Sequence, residues 1–334
     1  MSAPKAAGVA NAAPSDANLF DRALLRGRRA RAAGLTALNA ADGRAASGID
    51  FLVHRAAEDI AERLAGIQRT FTHALALGDH HGVVTRHIKP LANVGTVFAA
   101  DDTFALLRHA PAPALVCDPE ALPFAQGSLD LVASALTLHA INDLPGTLIQ
   151  IARALKPDGL FMGALIGGRT LHELRTSLMR AQAEVEGGAS PFVAPFADVP
   201  DLGSLLQRAG FALPVVDADR VEVAYETPLQ LMRDLRGMGA TNVLHARQRA
   251  PLRRETLARA AALYQHDFAR GDGRVIATFE ILTMTGWRPH ESQQKPLRPG
   301  SARQSLAAAF GTQERPAGEQ TPRPRTNAKR EDDT

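Results

Sequence analysis

One cysteine, Cys117, in 334 residues excludes a disulfide framework within the chain and fits a reducing compartment. No stretch approaches 18 consecutive apolar residues, so no transmembrane helix is expected. The opening MSAPKAAGVANAAPSDANLF lacks the run of large apolar residues a secretory signal needs. Its Ala-rich, acid-poor start has some transit-peptide character, but a flexible bacterial-type extension is the preferred reading. An excess of one charge is missing too: the net charge is +3, with 45% hydrophobic and 22% charged residues. This is ordinary globular composition and by itself implies neither nucleic acid nor a membrane surface. The basic tail has no interleaved aromatics, so no nucleic-acid partner is expected. A Gly-x-Ser-x-Gly elbow, a Walker loop and a paired-Cys zinc motif are all absent.

What is there has a clear order. Residues 1–17 and 291–334 are too poor in large apolar side chains to bury a surface and read as a disordered extension and tail. Between them, 18–290 reads as one domain. It has N-terminal helices (18–70), a strand–helix alternation (72–168), later lid or substrate elements (169–272) and a last strand (273–288). Leu19–Gly34 is helical in period with a strongly basic face, read first as a solvated face and second as a docking helix. In Ile49–Ile67, Leu52, Ala56, Ile60 and Leu64 recur every four residues, the mark of an amphipathic helix. HALALG, GTVFAAD, PALVCD, SLDLVASAL and LFMGALIG are short apolar runs suited to strands. LPGTLIQIARALKPDG reads as a helix closed by its Lys-Pro-Asp-Gly. This alternation argues an α/β fold with a parallel sheet covered by helices on both faces. LPVVDADRVEVAY holds one or two further strands and GRVIATFEILTMTGW a long final one, with extra helices inserted between.

In such a sheet, ligands bind beyond the carboxyl ends of the strands near the point where strand order reverses. The stretch ALALGDHHGVVTRHI has the form of a strand, a glycine turn at Gly78 and Gly82, and a helix whose free N–H groups attract anionic groups. Asp101 ends the next strand, placed to accept both hydroxyls of a ribose. Asp118 ends the third, where it can accept an adenine amino group with support from Glu120, and Phe98, Leu122 and Phe124 can flank a base. Strand-ending acids are also common helix caps; it is their pairing on adjacent strands that points to a nucleoside. His139, after the fourth strand, reads either as a general base at the rim or as a hydrogen-bonded strand-end histidine. His80, His81 and His87 have only Asp79 nearby as a further ligand, and a turn does not fix such ligands, so no metal is expected.

These blocks resemble a known family. CDPEALPFAQGSLDLVASALTLHAINDLPGTLIQIARALKPDG is similar to the central block of class I S-adenosylmethionine-dependent methyltransferases. GGRTLHELR, GGASPFVAPFADVPDLGSLLQRAGF, DLRGMGATN and ATFEILTMTGWRPHESQ narrow the likeness to the respiratory complex I assembly factor 5 group, from about Leu19 to Gln293. Outside the group, the chain also resembles the malonyl-carrier-protein methyltransferases. The resemblance implies a Rossmann-like, seven-stranded, mostly parallel sheet and S-adenosyl-L-methionine near Gly78, Gly82, Asp101 and Asp118. It implies modification of a protein side chain, since mitochondrial members are linked to arginine hydroxylation. The partner it implies is a nascent subunit of the quinone-reducing arm of complex I. For a bacterial-type chain this means the cytoplasm, with peripheral association at the inner membrane.

Three residues depart from the family pattern. Ala76 replaces an acid, His80 a glycine and Ala140 a tryptophan. The adenosine half of the site therefore reads as kept and the methionine half as weakened, and restoring the acid and the glycine is expected to tighten S-adenosylmethionine. Two classes of function stay open: an enzyme that uses S-adenosylmethionine on a protein side chain, and an assembly protein that kept the fold and lost turnover.

Overall fold

Alternation along the strands decides which face of the sheet each side chain joins. In β1 (Phe71–Leu77), Ala74 and Ala76 enter one apolar cluster while Leu75 and Leu77 enter the other, as a period of two requires. β2 (Val94–Asp101), β3 (Ala114–Val116), β4 (Leu129–Ala135), β5 (Leu155–Ile166), β6 (Ala212–Tyr225) and β7 (Val275–Trp287) complete a seven-stranded sheet. Its order is β3-β2-β1-β4-β5-β7-β6. β1 to β5 pair in parallel; β7 runs antiparallel to both β5 and β6. The computed structural model describes residues 18–41, 50–108, 110–294 and 311, so the expectations for 1–17 and for most of 291–334 fall outside the described residues. The chain divides into Met1–Glu291 and Ser292–Thr334; the first unit holds the sheet.

The first face is covered by α2 (Phe51–Ala65), α3 (Val83–Ile88), α6 (His172–Glu186), α8 (Pro228–Gly237) and α9 (Arg254–Phe268). Leu52, Ala56, Ile60 and Leu64 are the buried row of α2, matching the spacing in the sequence. Burial of a side chain the size of Ile60 or Leu64 contributes about 1.5–3 kcal/mol. The other face is covered by α5 (Leu144–Ala154) and α7 (Val199–Arg208). α5, α7 and α8 begin alike: Asp143, Asp198 and Thr227 each accept a hydrogen bond from the backbone N–H three residues on, with proline in the first turn. Such caps contribute about 1 kcal/mol each. α4 (Phe104–Leu107) is a single turn after β2, and α1 (Arg22–Ala41) lies across the carboxyl ends of the strands through contacts described below. Among the described residues no helix is long and apolar enough to cross a membrane.

One element differs from the sequence expectation. The helix expected to run to the Lys-Pro-Asp-Gly stop ends at Ala154, and Leu155 already pairs with Leu129 in the sheet. The pairing then slips and resumes at Leu131 with Leu160. Asp130 supplies the reason: it accepts from Lys156 Nζ at 2.9 and 3.0 Å and from the His73 backbone N–H, drawing the Lys-Pro-Asp-Gly segment back to the sheet. The run LPVVDADRVEVAY forms one strand, irregular only between Ala212 and Val215.

Candidate active site

The strand order reverses between β1 and β4, which places the turn after β1 where open α/β sheets bind ligands. The strand–turn–helix expected from the sequence is present. Gly78 (φ 73°) and Gly82 (φ 80°) take left-handed conformations, which glycine adopts without steric cost. A Cβ at Gly78 would lie 2.0 Å from Thr137 Oγ1, so that glycine is required by close approach as well. Asp79, fully buried, accepts from the Thr85 N–H at 2.7 Å inside the first turn of α3. Burial pushes its carboxyl up to about 6, opposed by the bond from Thr85, and its Oδ2 has no partner among the described residues.

His80 stands where the family pattern has glycine. It keeps a left-handed backbone (φ 42°), unusual for a residue with a Cβ. Its ring turns inward: Nε2 lies 3.2 Å from Thr137 Oγ1 and 3.5 Å from Arg29 Nη2. Burial and then the Arg29 charge hold its pKa well below the usual value. Arg29, Asp50, His80, Thr137 and His139 border a cavity of about 120 Å3. This is well under the ~300 Å3 at the lower end of small-molecule sites.

The acids read from the sequence converge, and they meet cations that the sequence reading did not place there. Asp101, 1% exposed, accepts from the Thr103 N–H at 3.0 Å through Oδ1 and from Arg29 Nη2 at 3.0 Å through Oδ2. Burial raises its carboxyl to about 6 against the pull of Arg29. Arg29 Nη1 also donates to Asp102 at 2.9 Å. Arg22 Nη1 reaches Asp118 at 2.7 Å and Glu120 at 2.8 Å, while Glu120 Oε1 accepts the N–H groups of Asn142 and Asp143. The basic face of α1, expected to be solvated, is therefore corrected in part: Arg29 turns inward because the buried carboxylates of Asp101 and Asp102 need a paired cation, and Arg22 turns onto the partly exposed Asp118 and Glu120. A signal existed. Arg22, Leu25 and Arg29 share one helix face at steps of three and four, and Leu25 borders the same cavities. Phe98, Leu122 and Phe124 pack against the second core cluster, and Phe98 stacks on His73 at 6.4 Å. Cys117 is buried, and burial followed by Asp118 raises its thiol to about 11, so it is not a thiolate nucleophile.

His139 sits in the short 3-10 turn Leu138–Ala140 after β4, with its ring edge-on to Phe196 at 5.9 Å. It borders the small cavity and also a larger one of about 340 Å3. Leu52, Leu174, Leu178, Phe192 and Phe279 are among the residues that make this chamber apolar, and among the described residues Arg236 is the one charged side chain on its wall. Ala140 borders both spaces. Burial, then Arg29, lowers the His139 pKa to about 4. Its Nδ1 has no partner among the described residues. At pH 7 the ring is therefore neutral, with Nδ1 unengaged among the described residues.

The donor set can be weighed against S-adenosylmethionine. Two carboxylates at adjacent strand ends suit the hydroxyls and amino group of an adenosine, once the guanidiniums of α1 share or yield them. Beside the glycine turn the space is narrower, because His80 and Thr137 close on it.

Comparison with known proteins agrees with this geometry. The methyltransferase domain family model matches residues 75–163, from the end of β1 through most of β5. The YcgJ protein of Bacillus subtilis aligns with 71% of this chain and 99% of its own at a TM-score of 0.50 and 13% identity, a likeness of fold. The chain is 42% identical over 295 residues to the mitochondrial arginine-hydroxylase NDUFAF5 of Danio rerio, covering 87% of this chain and 89% of that one. The Homo sapiens protein of the same name is 42% identical, with 86% and 82% covered. A malonyl-[acyl-carrier protein] O-methyltransferase of Laribacter hongkongensis is 42% identical over a shorter span, 57% of this chain and 62% of that one. The chain belongs to the NDUFAF5 family, within the class I S-adenosylmethionine-dependent methyltransferase superfamily.

Proposed function

We propose that the chain is an S-adenosylmethionine-dependent enzyme that modifies a protein side chain during assembly of respiratory complex I, its acceptor a nascent subunit of the quinone-reducing arm. It works in the cytoplasm or at the inner membrane surface. The observation that carries this reading is the position of His139 between two spaces, one beside the glycine turn and the other an apolar chamber. Identity to the arginine hydroxylases over nearly the whole length of both chains supports the acceptor class.

In this reading Asp101 accepts the ribose hydroxyls, Asp118 with Glu120 serves the adenine, and Gly78 and Gly82 flank the methionine end. When bound, the cofactor supplies an electrophilic carbon on a sulfonium. The acceptor approaches through the chamber, whose apolar wall excludes water. His139 is neutral at pH 7 and takes a proton at Nδ1 only while the acceptor is held beside it, since its basicity is low. A second reading, an assembly protein without turnover, is favoured by Arg22 and Arg29 on the cofactor acids and by His80 in the turn.

Calorimetry with S-adenosylmethionine, joined to mass spectrometry of the quinone-reducing-arm subunit co-expressed with the chain, separates the two. Binding and a methyl or hydroxyl mass increment that Asp101→Ala abolishes supports the enzyme. A stable complex with the subunit, with neither ligand binding nor increment, overturns it for the second reading.

A further inference from the structure

Outside the cofactor acids, the strongest feature is the rim of the apolar chamber. Arg28 and Arg31 of α1 and Arg236 of α8 border a groove of about 290 Å3, with Thr241 beside them. Arg236 and Thr241 also line the chamber, so the two depressions share an edge. Arg31 and Arg236 are exposed, and neither has an acidic partner among the described residues. Arg28 spends one donor on the Asn242 carbonyl. The acid that acts on it, Asp21, is held by Arg247 at 3.2 Å. Arg22 and Arg29 on the same helix are each bound to two or more carboxylates. One helix thus carries arginines facing inward onto acids and arginines left facing a groove.

We propose that the groove and chamber together recognise an extended segment of the acceptor polypeptide in which acidic residues neighbour a large apolar side chain. The carboxylates meet Arg28, Arg31 and Arg236, and the apolar side chain packs on the chamber's apolar wall at the shared edge, leaving the way to His139 to the side chain that is modified. This inference rests on the protein-acceptor reading above and names the partner's chemistry. A segment rich in Lys or Arg is repelled at the groove, and a purely polar one leaves the chamber's apolar wall unmatched. The three guanidiniums surround one depression rather than spreading over a flat face, which suits a peptide better than a bilayer.

The test is selection from a displayed library of random peptides against the full chain, compared with Arg31→Glu/Arg236→Glu and with Ala194→Trp, which narrows the chamber wall. All variants are first checked for unchanged Tm and S-adenosylmethionine binding. The parent is expected to enrich Asp or Glu beside Leu, Ile, Phe or Met. The double charge reversal is expected to lose the acidic bias and to bind the selected peptides at least tenfold more weakly. Ala194→Trp is expected to keep the acidic bias and lose the apolar one. No charge bias in the parent, or the same bias in the reversed variant, overturns the proposal. Charge-dependent sedimentation with vesicles containing phosphatidylserine, without peptide enrichment, overturns it in favour of a membrane surface. Calorimetry keeps the outcomes apart: a parent that selects acidic peptides but binds no S-adenosylmethionine preserves this surface and removes the enzymatic reading.

Discussion

Arg29 donates from Nη2 to Asp101 Oδ2 at 3.0 Å, joining α1 to the carboxyl end of β2. Both side chains are nearly inaccessible. Removing one partner of a buried pair leaves the other uncompensated, at a cost of about 3–5 kcal/mol. Arg29→Ala is therefore expected to lower unfolding stability in urea by that order, and a loss below 1 kcal/mol would show that Asp101 finds another partner. Asp101→Ala is expected to weaken S-adenosylmethionine at least tenfold in calorimetry, since a charge-assisted hydrogen bond contributes about 1.5–3 kcal/mol. An unchanged Kd in a folded variant removes Asp101 from the site.

Asp79 has a distinct pH signature. Its folded pKa, about 6, lies above the ~3.9 of an unfolded aspartate. Between about pH 4 and 6 the folded state holds the extra proton, so this group's contribution to stability falls as pH rises through that window. Asp79→Asn keeps the acceptor toward the Thr85 N–H and cannot ionise. Its stability relative to the parent should rise from near parity at pH 4 to an advantage on the order of 2–3 kcal/mol at pH 7, two pKa units at ~1.4 kcal/mol each. Parallel pH–stability curves for the two proteins would contradict the assignment.

His139 contributes with the opposite sign. Its folded pKa, about 4, lies below the ~6.5 of an unfolded histidine. The unfolded state binds the proton first as pH falls, so the group's contribution is complete above about pH 6.5 and is lost as pH falls toward 4. Nitrogen NMR of the labelled protein should show one imidazole, absent from His139→Gln, that stays neutral down to about pH 4. Titration of that resonance near 6.5 would place the ring in solvent.

Much of this was legible from the sequence because it is periodic or covalently local. The buried row of α2 appears as a four-residue step, the strands as short apolar runs, and Asp101 and Asp118 as acids at strand ends. What was not legible depends on contacts between distant segments. Arg29 lies 72 residues from Asp101, and a basic helix face looks the same whether it meets water or acids. The Lys-Pro-Asp-Gly segment reads as a helix stop until Asp130, 26 residues earlier, is seen to hold Lys156. Inward or outward for His80 was likewise undecidable, because its direction depends on Thr137 from the end of another strand.

The turn itself gives the last prediction. His80 holds a left-handed backbone that costs an L-residue about 1–2 kcal/mol, and its ring narrows the space by Thr137 and Arg29. His80→Gly relieves the backbone and opens that end. It is expected to tighten S-adenosylmethionine and S-adenosylhomocysteine severalfold while leaving methylthioadenosine, which lacks the amino-acid end, unchanged. Restoring the acid is a different matter, and here the sequence expectation is revised. Ala76 is fully buried in the apolar cluster that faces α2, paired between Ala99 and Ala133 in the sheet. A carboxylate there has no partner in view, and burying an unpaired charge costs several kcal/mol. Ala76→Asp is therefore expected to lower Tm, alone or with His80→Gly, and the single His80→Gly variant to be the tighter binder. Equal gains for all three ligands in His80→Gly would mean that the methionine end is not what limits binding. A stable Ala76→Asp variant with tighter S-adenosylmethionine would show that the acid reaches the ligand from within the sheet.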